Sequence, residues 1–199
     1  MSEKKELTVV WCDTETTGIE TATSAAFELA FLVYRGGRML EERVFYCNPL
    51  TETILFGEEA YKVNGVSEET IRSYPPAQEV MYEIAGFLDP YVQIPFDVER
   101  LVFAGYRADF DYGHVKALLE RYGFVMDYYF NGRIIDVLEL VKKAASKGLL
   151  PRTPNKKLET MTKALGIAHD GAHSALSDIK ATRQLYETIW LLEQRRKHP

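Results

Sequence analysis

The chain has 199 residues, 46% of them hydrophobic, and a formal net charge of −5 at pH 7. This size and composition predict one domain over residues 1–199, with a core from about 7 to 192. The negative charge argues against a protein that holds nucleic acid mainly through a broad basic face, although a carboxylate cluster that binds phosphates through cations would carry the same sign.

The location of the protein is predicted from what the sequence lacks. No apolar run is long enough to span a bilayer, and the polar start has no signal-peptide core behind it. Cys12 and Cys47 are too few for a disulfide scaffold and lack the spacing of a zinc site. We therefore expect a soluble, cytoplasmic protein that makes no contact with a membrane.

The first predicted elements are strands. Residues 7–12 form a β-branched and aromatic run that is typical of a buried strand. Two further runs, 27–34 and 43–47, flank Gly36-Gly37, which is a hairpin signal. Asn48-Pro49 is expected to end the last of these strands.

Helices alternate with short strands in the rest of the chain. The predicted elements are short helices over 56–71 joined at Asn64-Gly65, a helix from Pro75-Pro76 to Leu88, a strand over 101–104, a helix over about 109–122, a strand near Ile134-Ile135, and helices over about 137–145, 157–165 and 176–192. Residues 89–100 lack periodicity and predict an irregular excursion. The order of elements predicts an α/β fold with a mixed central sheet and helices on both faces.

Two acids directly follow the first predicted strand. Asp13 and Glu15 are two positions apart, so an extended backbone places both carboxylates on one side. Paired carboxylates suit Mg²⁺, which takes one or two protein carboxylates together with phosphate oxygens. The alternative is an ordinary surface turn, because residues 13–18 are rich in turn-forming residues.

Two further acids are predicted at helix starts. Asp111 begins the helix after strand 101–104, at the sheet edge where open α/β sheets bind ligands, and Asp109 competes for the same role. Asp178 lies in the first turn of the last helix, and His173 stands just before that helix. Each acid could instead be favoured by the helix dipole alone, by about 0.3–1 kcal/mol, and His173 could be an ordinary loop histidine.

Taken together, these residues indicate a metal site. Four acids at one sheet edge would repel one another unless cations neutralised them. Such an arrangement suits phosphodiester hydrolysis by two ions about 3.5–4 Å apart, with His173 accepting a proton from the attacking water.

Three motifs, in order and spacing, resemble those of the DnaQ-like (DEDDh) 3′-5′ exonuclease superfamily. They are Asp-Thr-Glu-Thr-Thr-Gly at 13–18, Phe110-Asp111 after an apolar strand, and His-x-Ala-x-x-Asp from 173 to 178. Segments 48–49, 59–66 and 157–167 also look like family landmarks, so the resemblance extends from about residue 7 to 192. Many members have His-Asn where this chain has Tyr106 and Arg107, which affects the expected local substrate contacts.

The resemblance implies an RNase H-like fold and a metal-dependent exonuclease that releases 5′-monophosphates from the 3′ end of single-stranded DNA or RNA, with DNA favoured. It implies two divalent cations, Mg²⁺ or Mn²⁺, on Asp13, Glu15, Asp111 and Asp178, with His173 as general base. The sequence leaves open whether a DNA polymerase is a partner. The residues expected to line the pocket for the terminal nucleotide are Thr16, Thr17, Gly18, Ile19, Val63, Asn64 and Phe110, of which Phe110 is equally expected to be core packing.

Two other functions stay open. A haloacid-dehalogenase-type phosphatase would use Asp13 as a phosphoryl acceptor, but its signature requires Asp where this chain has Glu15. A non-catalytic module that binds nucleic acid or a polymerase would normally have lost one of the acids. Outside the motifs, His114 and His169 are interpreted as surface or packing histidines, and the basic run 195–198 as a frayed terminus.

Overall fold

The computed structural model describes residues 6–92, 100–170 and 173–197. Its centre is a sheet whose strands are β1 (Thr8–Thr16), β2 (Ala26–Arg35), β3 (Arg38–Tyr46), β4 (Leu101–Gly105) and β5 (Phe130–Asp136). The spatial order is β3-β2-β1-β4-β5. The first three strands pair antiparallel, and β4 and β5 continue the sheet parallel to β1. The expected mixed sheet is confirmed.

The helices cover both faces of this sheet. They are α1 (Glu58–Asn64), α2 (Glu68–Arg72), α3 (Ala77–Leu88), α4 (Ala108–Arg121), α5 (Met126–Tyr129), α6 (Val137–Ser146), α7 (Leu158–Leu165) and α8 (Ala175–Lys197), with a 3-10 turn at Asp89–Tyr91. Helices α3 and α4 pack with Phe31 and Phe103 on one face, and α6, α7 and α8 pack with Trp11 and Leu32 on the other. The two clusters explain why β2 is almost continuously apolar.

Strand β1 extends further than the sequence predicts. Residues 13–16 belong to the strand because β2 continues to pair with it as far as Glu15 and Glu28, and the register shifts only after Glu15. The alternative of an ordinary surface turn at this position is therefore wrong. Both acids lie on the central strand of the sheet. Strand β2 pairs with β1 at both acids, whereas β4 pairs with β1 only over residues 9–11, before the acids.

Most predicted elements are found within a few residues of their expected bounds. The hairpin turn is made by Gly36 and Gly37, whose positive φ values of 58° and 80° suit glycine. Helix α5 was not predicted, and α8 stays helical through Lys197, where a frayed end was expected. Of the excursion over 89–100, residues 93–99 lie outside the described residues, as does His198 of the basic run.

One close approach between strands positions the site. A Cβ atom on Gly105, the last residue of β4, would lie 2.8 Å from the carbonyl oxygen of Cys12. Only glycine allows the end of β4 to pass this close to β1. The start of α4 is thereby brought beside Asp13.

Within the part of the chain that the structure describes, no helix combines the length and the apolar character required to cross a lipid bilayer.

Candidate active site

Three acids from two distant parts of the chain meet at the carboxyl end of β1. Asp13, Glu15 and Asp178 each present a carboxylate oxygen, and these oxygens all lie within 4.8 Å of one another. The two strand residues point to one side of the sheet because they are two positions apart. Oxygen ligands at this spacing can hold a hard divalent cation.

Helix α8 carries the third of these acids. Its buried residues, among them Ala175 and Ile179, pack on the sheet face around Trp11 and set the distance of the helix from β1. At the start of the helix, the amide of Ala175 donates to Oε1 of Glu28 on β2, at 3.1 Å. This side chain therefore ties the end of the helix that bears Asp178 to the strand beside β1.

Asp111 is held against β1 by two hydrogen bonds. The backbone N–H of Thr14 and its hydroxyl donate to Oδ1 of Asp111, at 3.0 and 2.8 Å. Asp111 lies in the first turn of α4 and is only 3% exposed, whereas Asp109 is exposed to solvent. The structure thus fixes Asp111, and not Asp109, to β1 beside the site, although Asp111 is not one of the three acids whose oxygens lie within 4.8 Å of one another.

Burial raises the pKa values of three of these carboxyls, and repulsion from neighbouring acids adds to it. Burial, followed by repulsion from Asp111, Asp178 and Glu15, raises the pKa of Asp13 well above its usual range. Burial, together with repulsion from Asp178, Glu28 and Asp111, raises the pKa of Glu15 to about 8. Burial raises the pKa of Asp111 to about 7, against the opposing hydrogen bonds of Thr14. A buried, all-oxygen, mutually repelling cluster fits divalent cations, which would remove this repulsion.

His173 lies two residues before α8, on the same segment as Asp178. Its side chain is exposed, and its backbone adopts a positive φ of 74°. Arg107, the only other non-glycine residue with positive φ among those described, lies immediately before α4. Left-handed backbone in non-glycine residues is uncommon and often marks functional sites.

The residues expected to contact substrate fall into two groups. Ile19 and Val63 are 76% and 59% exposed, so both side chains are accessible to a ligand. The amide of Asn64 donates to the carbonyl of Thr16 at 3.3 Å and joins α1 to the end of β1. Gly18 is partly buried beside them.

Thr17 is placed differently from the expectation. It is 1% exposed, and its hydroxyl accepts a hydrogen bond from the amide of Ala25 at 3.1 Å. Its backbone carbonyl accepts a further bond from Gly57. Because these groups are buried and already paired, Thr17 shapes the loop after β1 and does not present its side chain to a ligand.

Phe110 has a packing role that the sequence left open. Its ring centroid lies 4.4 Å from that of His114, at an interplanar angle of 44°. His114 is 1% exposed and close to Ser24 and the Phe110 carbonyl, which agrees with the expected packing histidine. Phe110 itself is only partly buried.

Two residues at the site were missed by the sequence analysis. Glu28 is 6% exposed, and a charged residue inside the apolar run of β2 is the signal that could have identified it. His169 was interpreted as a surface or packing residue, yet its Nε2 lies 2.6 Å from Oδ1 of Asp178. Its loop position offers no comparable signal.

Comparison with known proteins gives a family match over most of the chain. Residues 10–186 match the family model RNase T, described as exonuclease. A PolC-type DNA polymerase III from Bacillus cereus is 26% identical over 183 residues, which are 90% of this chain and 11% of the polymerase. The corresponding enzyme from Oceanobacillus iheyensis is 26% identical over 194 residues, with 96% and 12% covered. The chain spans about a tenth of the length of these relatives.

Solved structures with a similar fold include exonuclease I from E. coli. Its complex with a dT13 oligonucleotide has a TM-score of 0.80 at 21% identity, over 96% of this chain and 43% of that chain. The zinc-ion-bound form of its complex with single-stranded DNA has a TM-score of 0.80 at 22% identity, over 96% and 42%. These likenesses confirm the RNase H-like exonuclease fold, and this chain spans less than half of those proteins.

Proposed function

Because the chain belongs to the exonuclease family that it matches over residues 10–186, we propose that it hydrolyses terminal phosphodiester bonds of single-stranded nucleic acid. The direction is from the 3′ end, and the products are 5′-monophosphates. The observation that carries this proposal is the meeting of Asp13, Glu15 and Asp178 within 4.8 Å. Asp111 completes the set of four acids, because Thr14 fixes it to the same strand.

The proposed cofactors are two divalent cations, Mg²⁺ or Mn²⁺. The candidate ligands are the carboxylates of Asp13, Glu15, Asp111 and Asp178. Bound cations would supply charge neutralisation at the phosphate and make water a stronger nucleophile at neutral pH. The protein's part is to hold four mutually repelling carboxylates in place before the substrate arrives.

His173 is the proposed general base. Its exposed imidazole, on the segment directly before α8, can approach a water molecule at the acid cluster without being a metal ligand. The terminal nucleotide is proposed to lie against Ile19, Val63 and the partly buried Phe110, with Asn64 joining α1 to the end of β1.

The proposed substrate is DNA, with RNA as the alternative to be tested. Exonuclease I, whose fold is similar, has been solved with a dT13 oligonucleotide, and the relatives with matching sequence are DNA polymerases. We propose that the chain acts at DNA 3′ ends in the cytoplasm and works with a DNA polymerase. Both cysteines are buried free thiols, which is compatible with a reducing compartment.

Matched 5′-labelled DNA and RNA oligonucleotides, single-stranded and recessed, test this proposal. Stepwise shortening from the 3′ end is expected with Mg²⁺, and none after exhaustive treatment with EDTA. A blocked 3′ phosphate should slow the reaction, and a circular single strand should resist it. Phosphate release from a simple monoester would support the phosphatase alternative instead, and binding without cleavage would support the non-catalytic module.

A further inference from the structure

One segment of this acidic chain is strongly basic. Residues 142–157 contain six lysines and arginines and no acid, in a protein whose formal net charge is −5. Its last part, residues 151–157, is an extended loop between α6 and α7 that carries Arg152, Lys156 and Lys157. We call residues 151–157 the basic loop.

Two contacts connect the basic loop and the helix after it to the segments that carry Asp111 and Asp178. The hydroxyl of Tyr106 donates to the backbone carbonyl of Lys156, and Tyr106 stands five positions before Asp111. The loop then leads directly into α7, where Thr162 lies 3.4 Å from His169. His169 in turn contacts Asp178, so the helix that follows the basic loop is connected to one acid of the site.

The cations of the loop differ from those of the helix before it. Lys142 and Lys147 are paired with Glu139 and Glu193, each at 2.6 Å. Among the residues that the structure describes, Arg152 and Lys157 have no acidic partner within 4.0 Å, and both are exposed.

Arg107 adds a third exposed cation on the adjoining loop. Its backbone amide donates to Asp136 at 3.1 Å, while its side chain is exposed and forms no ion pair among the described residues. Asp109 is the exposed acid nearest to it in sequence. Lys156 is partly buried and donates to Thr153, so it contributes less to this surface.

We propose that Arg107, Arg152 and Lys157 form a rim that binds the phosphate backbone of the single strand whose 3′ end occupies the acid cluster. This inference rests on the proposed function, because in a 3′-5′ exonuclease all of the remaining strand lies on the 5′ side of the scissile bond. A net negative protein with an acidic site repels a polyanion, and a local group of unpaired cations offsets that repulsion where the strand leaves the site.

The double variant Arg152→Gln/Lys157→Gln tests the rim by binding. A 5′-labelled oligothymidylate is titrated by fluorescence anisotropy over a series of salt concentrations, without a catalytic metal. Loss of two phosphate contacts should reduce the slope of log K against log salt by about 1.4, since each contact to a single strand contributes about 0.7. Adding Arg107→Gly should reduce it by about 0.7 more.

The control is Arg38→Gln/Lys116→Gln, which makes the same change in net charge. Arg38 begins β3 at the hairpin, at the opposite end of β1 from the acids, and Lys116 lies further along α4 and pairs with Glu120 at 3.9 Å. The control should keep the parent slope. Equal slopes for the loop double variant and the parent, or equal reductions in both double variants, would overturn the rim.

A second substrate separates the rim from the proposed function. The p-nitrophenyl ester of thymidine 5′-monophosphate has no upstream strand, so the loop double variant should hydrolyse it with Mg²⁺ at the parent rate, while its KM for the oligothymidylate rises. Equal loss on both substrates would overturn the rim and leave the exonuclease activity standing. A parent that hydrolyses neither, yet shows the expected change in binding slope, would refute the proposed function and support the rim.

Discussion

Nε2 of His169 lies 2.6 Å from Oδ1 of Asp178. The imidazole side chain is 7% exposed, and its Nδ1 lies 3.4 Å from the hydroxyl of Thr162, which itself lies 3.0 Å from the carbonyls of Leu158 and Glu159. A chain of contacts therefore runs from the backbone of α7 to a candidate metal ligand. Because His169 contacts Oδ1, the second oxygen of the Asp178 carboxylate is available to a cation.

We expect His169 to orient Asp178 for metal binding. His169→Ala should raise the Mg²⁺ concentration for half-maximal activity by about 10–100-fold. Removing a residue that hydrogen-bonds to a metal ligand typically weakens metal affinity by this factor. His169→Gln keeps an N–H donor and should shift it less. Mg²⁺ titrations of activity beside thermal melts would decide this. If His169→Ala lowers the melting temperature but leaves the Mg²⁺ concentration for half-maximal activity unchanged, His169 has only a packing role.

Glu28 is expected to act through its hydrogen bond to Ala175. Glu28→Gln keeps an oxygen acceptor for the Ala175 amide and should remain folded and active. Glu28→Ala leaves that amide unpaired and should cost about 1–3 kcal/mol of unfolding free energy. Urea unfolding and nuclease assays on both variants provide the comparison. If Gln is as damaging as Ala, the charge of Glu28 matters and the hydrogen bond alone does not explain its role.

The metal-free protein should lose stability as the pH rises. The pKa values of Glu15, about 8, and Asp111, about 7, are raised by burial in the folded chain, whereas unfolded carboxyls release their protons near pH 4. Between about pH 4.5 and pH 8 the folded state thus binds more protons, so unfolding is favoured as the pH rises. Melting temperatures in EDTA should fall across this window.

Mg²⁺ should raise the melting temperature more at about pH 8 than at about pH 6, because cations bind the deprotonated carboxylates. A metal-free melting temperature that rises throughout this window would contradict the electrostatics described for the cluster.

The second-motif acid can be tested against its neighbour. Asp111→Asn should reduce turnover far more than Asp109→Asn, since only Asp111 is buried and bound to Thr14. Circular dichroism should show equal folding of the two variants. A greater loss with Asp109→Asn would move the proposed ligand two positions along α4.

His173→Ala tests the proposed general base. Turnover should fall by about 10²–10⁴-fold, which is the usual contribution of proton transfer in the transition state. Metal dependence and substrate affinity should persist, because ground-state contacts remain. Full turnover in a folded variant would leave His173 as a loop histidine. His169→Ala with such a loss at saturating Mg²⁺ would point to the other histidine.

The sequence predicted the architecture well because its signals are local. The hairpin glycines, the helix that follows Pro75-Pro76 and the apolar strands each depend on short-range preferences that tertiary packing did not override. The extension of β1 through Thr16 was not predictable in the same way. Turn-forming residues occupy that stretch, and only pairing with β2 keeps it extended.

The candidate site was predicted in part for a similar reason. The motifs indicated which acids to consider, and the structure brings three of them together and fixes Asp111 to the same strand. The roles of Glu28 and His169 depend on contacts between segments far apart in sequence. Likewise, the burial of Thr17 follows from its pairing with Ala25, which a motif taken alone does not show.

The joining of distant segments at one strand affects when the chain can become active. Asp111 is bound by Thr14 across 97 positions, and the helix that bears Asp178 is bound by Glu28 across 147. Contacts of such long range form late, once much of the chain has been ordered. During synthesis, strands β1 to β3 emerge before α4 and α8, and of the four proposed ligands they carry only Asp13 and Glu15. A nascent or partly unfolded chain should therefore lack the complete set of proposed metal ligands, so that only fully folded molecules are expected to hydrolyse nucleic acid.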